Sequence, residues 1–186
     1  MKHLFTTLAL LVGLCVWAMP QVQADDDAPV ATKKAGKKNG KKKKATGKLS
    51  VVAQALADAG YFTETEARPK ARVYIFICSA SWCPPCRALM PRIVDEYEKN
   101  IKKNKSVSLV LLCADRDEEA AKKYIEHYET DMPGVMKKQV QLENMPSTPG
   151  IPWCIYMNAK GELLHSGAGD KVLQWKTLMK SKPQKN

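Results

Sequence analysis

Cys83 and Cys86 stand two residues apart in "SASWCPPCRALMP", residues 79–91, with two prolines between them and Trp82 in front. Three chemistries use such a pair: half of a zinc site, a structural staple, or a dithiol that exchanges with other disulfides. A structural zinc site takes four ligands, usually as two paired clusters. Here the other cysteines beyond the leader (Cys78, Cys113, Cys154) are solitary, and His127 and His165 are isolated. A disulfide spanning two residues closes too small a loop to constrain the unfolded chain much. A redox dithiol needs one thiol held as thiolate and a second within reach to resolve a mixed disulfide. Placing Cys83 at a strand-to-helix junction meets both needs. Unpaired amides and the positive end of the helix dipole lower its pKa, and Cys86 falls one turn inside the helix. Prolines suit the first helical positions, where an N–H has no partner to lose. With Pro84 and Pro85 lacking that donor, the Cys86 amide becomes the local donor to the Cys83 sulfur. Cys83 is therefore the expected attacking thiol and Cys86 the buried resolving one.

The elements that must position this pair are readable from apolar pattern. "LSVVAQALADAG" has helical spacing and stops at a glycine. "ARVYIFIC" and "SVSLVLLCAD" are nearly continuous apolar runs, as in strands buried on both faces. Between them a helix is expected from Pro84 to about Asn104, with Leu89, Ile93, Val94 and Tyr97 inward and Pro91 bending it. "RDEEAAKKYIEHY" is a helix with acids first and lysines later, matching its dipole. An irregular Met- and Pro-containing stretch leads to a third strand, "WCIYM". "NAKG" then turns the chain into "ELLHS", and "DKVLQWKTLMK" is a closing helix. Strands alternating with helices, then a hairpin and a helix, give an α/β fold of three layers with a central mixed sheet.

The ends of the chain carry other signals. Residues 1–24 show a basic start, an apolar run and small-residue spacing at Val22 and Ala24, the layout of a cleaved secretory signal peptide. An uncleaved anchor, or lipid attachment at Cys15, is the competing reading. Residues 25–48 hold nine lysines and three aspartates, a net +6 of the chain's +11. This segment lacks aromatic residues, has no large aliphatic one after Val30, and reads as a disordered linker. Residues 49–186 form the folded domain. The expected location is outside the cytoplasm, periplasmic and soluble after cleavage, where disulfide chemistry is permitted. The lysines from Lys33 to Lys48 are either a solvated spacer or an attachment to an anionic membrane or envelope surface. Nucleic acid is not an expected partner, since no aromatic residues are interleaved.

Taken together, "FICSASWCPPCRALMP" resembles the thioredoxin family, and the tryparedoxin and nucleoredoxin branch in particular, over residues 73–178. Pro91 sits five residues after the second cysteine, as the kinking proline of thioredoxins does. "PGIPWCIYM" resembles the family's cis-proline segment, "MNAKGELLHSGAG" its last hairpin, and "LVLLCADRDEEAAKKYIEHY" the segment after the second strand in the nucleoredoxin branch. The resemblance implies a thioredoxin-like fold and a monomeric thiol–disulfide oxidoreductase that needs no cofactor or metal and acts on protein disulfides. It implies that Ile151 and Pro152 face the dithiol and offer backbone to an extended substrate, with Trp82 and Trp153 flanking the groove. One departure is that "VYIFIC" lacks the buried acid that thioredoxins keep beneath the dithiol. Water, Glu143 or Asp170 would have to move the proton. A redox-inert binding module tethered by the lysine segment is the alternative. Net redox direction, the electron partner, and a second disulfide among Cys78, Cys113 and Cys154 stay open at this level.

Overall fold

The computed structural model describes residues 49–184. The leader, the lysine-rich linker and its proposed surface contacts lie outside the described residues.

Ser50 opens the first helix, α1 (Val51–Ala59): its Oγ accepts from the Ala53 amide at 3.1 Å. Gly60 closes it at φ 77°, a left-handed conformation that a side chain would resist. The continuous apolar runs become β1 (Val73–Ser79) and β2 (Val107–Cys113), buried at every position. Their partners explain why. β1 is the central strand, parallel to β2 on one side and antiparallel to β4 (Trp153–Asn158) on the other. Alternate residues then feed two layers. Val73, Ile75 and Ile77 pack with Met90, Ile93 and Trp175, whereas Tyr74, Phe76 and Cys78 pack with Val52 and Leu56 of α1. The mixed, helix-flanked sheet has the expected thioredoxin-like α/β form.

Four local differences from the sequence reading have physical causes. The stretch read as irregular contains a short strand, β3 (Gly134–Met136), parallel to β2, which with the last strand, β5 (Leu163–Ala168), completes a five-stranded sheet of order β3-β2-β1-β4-β5. Three residues between Pro133 and Lys137 are too few to show a period. The helix after the dithiol, α2 (Pro84–Glu96), passes into a π-helical turn (Tyr97–Ile101) instead of continuing regularly to Asn104. That wider turn brings Ile101 into the core, while Met90 takes the deeper place expected for Leu89 and Val94, which are only partly buried. The closing helix is mostly 3₁₀ (Gly169–Gln174), followed by a four-residue α4 (Trp175–Leu178). Helix α3 (Glu118–Glu126) lies within the segment read as a helix, and β5 runs two residues past the end of "ELLHS".

The register decides where chemistry can be assembled. Ser79 pairs with Cys113, Cys78 with Trp153, and Trp153 with Ala168. The loops that follow β1, β2 and β5 and the one that precedes β4 therefore meet at one end of the sheet.

Gly134 carries one prediction about this frame. A methyl there would lie 2.4 Å from Cζ of Phe62, a buried ring held by the Tyr61–Val135 bridge beside it. Gly134→Ala should cost about 1–3 kcal/mol, as overpacking of a filled core does. Urea unfolding measures this, and an unchanged midpoint would show that the Phe62 ring moves aside freely.

Candidate functional site

Cys83 is the N-cap of α2, with Pro84 and Pro85 occupying the first helical positions. Its sulfur accepts from the Cys86 amide at 3.3 Å, the donor expected once two prolines remove the others. The two cysteines form a disulfide with Cα atoms 5.2 Å apart. Both are buried in this oxidised form, Cys83 at 3 % and Cys86 at 1 % exposure, so the expected difference in depth is slight. Ala80, Ala114 and Ile151 pack around them.

The Ile151–Pro152 peptide is cis, and the Ile151 carbonyl oxygen lies 3.7 Å from Cys83 Sγ. The Pro152 carbonyl accepts from the Gly169 amide at 3.1 Å. Gly169 is a glycine for a steric reason: a Cβ there would lie 2.7 Å from Pro152 Cβ and 3.1 Å from Leu89 Cδ2. The segment before β4, the start of the closing helix and α2 thus meet at one hydrogen atom. Trp82 is 63 % exposed next to Cys83, an unusual position for a large apolar ring. Trp153 is placed differently from Trp82. It packs into the α1-side layer, half-buried, and its indole N–H donates to Ser166 Oγ at 2.7 Å.

Neither acid considered for proton transfer lies beneath the dithiol, since Glu143 and Asp170 are both exposed. The buried acid at this end of the sheet is Asp115, just past β2. Its Oδ1 accepts from Ser81 Oγ at 2.7 Å, and its Oδ2 from the Ser81 amide at 3.0 Å and from Cys113 Sγ at 3.0 Å. The only hint in the sequence is a carboxylate that ends an otherwise apolar strand.

Cys78, Cys113 and Cys154 are free thiols, so no second disulfide joins them. Burial pushes the Cys78 thiol up to about 11, against a small opposing effect of Lys137. Burial, with minor help from Asp170, pushes Cys154 up to about 12. Burial and the hydrogen bond to Asp115 push Cys113 up as well. Such thiols are poor nucleophiles at neutral pH.

His165 lies on β5, edge-on to the Tyr156 ring, with its Nε2 shut off from solvent and unpartnered. Burial, and then the Lys171 ammonium, lower its pKa below the usual histidine value. The unfolded chain therefore takes up this proton first as pH falls through about 6.5. The stability that neutral His165 contributes is present above that pH and is lost as pH drops toward the folded-state value. Urea unfolding at pH 7.5 and 5.5 should show a larger acid loss for the wild type than for His165→Leu. Equal losses would contradict this.

A family model described as thioredoxin-like matches residues 71–163, half of the chain. Nucleoredoxin of Xenopus laevis is 34 % identical over 102 residues, covering 52 % of this chain and 24 % of that protein. The thiol-disulfide oxidoreductase ResA of Bacillus cereus is 26 % identical over 92 residues, covering 50 % of this chain and 52 % of that protein. The chain thus spans a quarter or less of the length of the nucleoredoxins it matches. Among solved structures, thioredoxin from Wuchereria bancrofti superposes with TM-score 0.50 at 26 % identity, over 57 % of this chain and 74 % of that one. Tryparedoxin II from C. fasciculata shares the fold with TM-score 0.52 at 23 % identity, over 66 % and 89 %.

Proposed function

The chain belongs to the thioredoxin-like family, and from that premise we propose that it is an extracytoplasmic thiol–disulfide oxidoreductase that reduces or exchanges protein disulfides through Cys83 and Cys86. The observation that carries this reading is the N-cap position of Cys83. There the Cys86 amide at 3.3 Å and the α2 dipole favour a thiolate, while the Ile151 backbone stands beside the sulfur.

In the reducing direction, the Cys83 thiolate attacks one sulfur of a substrate disulfide. A Cys83–substrate disulfide forms and the other substrate sulfur leaves as thiolate. Cys86 then gives up its proton and attacks Cys83 Sγ, which closes the Cys83–Cys86 disulfide and releases the second substrate thiolate. Two electrons pass from the dithiol to the substrate, and an external thiol partner restores them. The substrate segment lies extended along the Ile151–Pro152 backbone, and exposed Trp82 covers its apolar flank. Half-buried Trp153 shapes the floor of this region from the sheet, with its indole N–H already engaged.

The location rests on the leader pattern of residues 1–24, and residues 33–48 would hold the monomeric domain near an anionic surface. The test is reduction of insulin by dithiothreitol, with and without the protein. Acceleration well above dithiothreitol alone is expected. A folded protein that gives none would leave a redox-inert binding module as the better reading.

A further inference from the structure

We infer that Asp115 is the positioning residue of the dithiol, holding the segment that carries Cys83 in place and setting how readily Cys83 ionises. This rests on the redox reading above and deepens it. Three donors converge on the carboxylate: the Ser81 amide, the Ser81 hydroxyl and the Cys113 thiol. Ser81 is two residues before Cys83, in the turn closed by the Cys83 amide donating to the Ala80 carbonyl at 3.2 Å. Asp115 therefore grips that turn from the loop after β2. Its neighbour Ala114 packs directly on Cys83 and Cys86, and the Ala114 amide donates to the Ser79 carbonyl at 2.9 Å. Two consecutive residues after β2 thus bind the end of β1 and the start of the reactive loop.

A carboxylate suits this place because every contact it makes is one it accepts. The titratable groups that face it are Cys113, at the end of β2, and Tyr124 of α3, whose hydroxyl is shared with Ser79 at 2.8 Å. Burial dominates the upward shift of both, and Asp115 adds to it, so neither supplies a balancing charge. Arg87, beside Cys86, is exposed. The negative charge of Asp115 stands at the end of the sheet that carries the dithiol, held there by the Ser81 and Ala114 contacts. It opposes the thiolate that the helix N-terminus favours, and so it also opposes the reduced form relative to the disulfide.

The experiment compares the full chain with its Asp115→Asn and Ser81→Ala variants. It reads the pH dependence of Cys83 alkylation in the reduced protein and the dithiol–disulfide equilibrium against glutathione. Asp115→Asn should move the alkylation midpoint to lower pH and shift the glutathione equilibrium roughly tenfold toward the dithiol. Ser81→Ala keeps the charge, so its midpoint should stay near that of the wild type. Its alkylation rate above the midpoint should fall severalfold, because the turn is held by one contact fewer. A purely structural role would lower stability and move neither the midpoint nor the equilibrium. That result with folded Asp115→Asn overturns the inference, and so does an unaltered rate in Ser81→Ala, which serves alone if Asp115→Asn does not fold. A wild-type dithiol that does not equilibrate with glutathione would instead overturn the redox reading itself.

Discussion

Cys83→Ser should abolish disulfide reduction, a loss on the order of 10³-fold or more, since a hydroxyl cannot replace the thiolate as nucleophile at neutral pH. Cys86→Ser should behave differently. The first attack still occurs, but nothing resolves the product, so mixed disulfides accumulate on Cys83. The asymmetry follows from position, because Cys83 caps the helix and Cys86 lies within its first turn. Non-reducing electrophoresis and mass spectrometry of the adducts read it directly. Equal trapping by both variants would mean that either sulfur can attack.

Gly169→Ala should impair function without touching either cysteine. The added methyl would enter the space between Pro152 and Leu89, at 2.7 and 3.1 Å, and the nearest backbone atom, Pro152 C, is also at 3.1 Å. Backbone on one side and the dithiol helix on the other leave little room to yield. Overpacking of this kind costs about 1–3 kcal/mol. The expected outcome is a lower unfolding midpoint with a rise in KM for protein disulfides, because the Ile151–Pro152 backbone no longer lies beside Cys83. Reduction of a small soluble disulfide, which needs less of that backbone, should fall less. Equal losses on both substrates would place the effect in the dithiol and not in the groove.

Much of the frame was legible because burial leaves composition behind. β1 and β2 are apolar at almost every position, as strands covered on both faces must be, and Gly60 marks a helix end. The pairing of Cys83 with the Cys86 amide was legible too, since two prolines leave few other donors. What escaped the sequence depends on contacts between distant segments. Asp115 reads as an ordinary acid before a helix until the register sets Cys113 beside Ser79 and brings Ser81 within reach. β3 is too short for a period, and the π-helical turn leaves no mark because it preserves the helical look of "YEKNI". Trp153 and Trp82 are equally close in sequence to reactive elements. Strand alternation sends one into the sheet layer, while a loop leaves the other in solvent.

In the proposed reaction Cys83 is the sulfur that ionises and attacks. Treating the fully reduced protein at neutral pH with one equivalent of iodoacetamide, then mapping the labelled peptide, tests that most directly. Label on Cys83, with Cys86 and the three strand cysteines unmodified, is the predicted result. Label confined to Cys86 would contradict it.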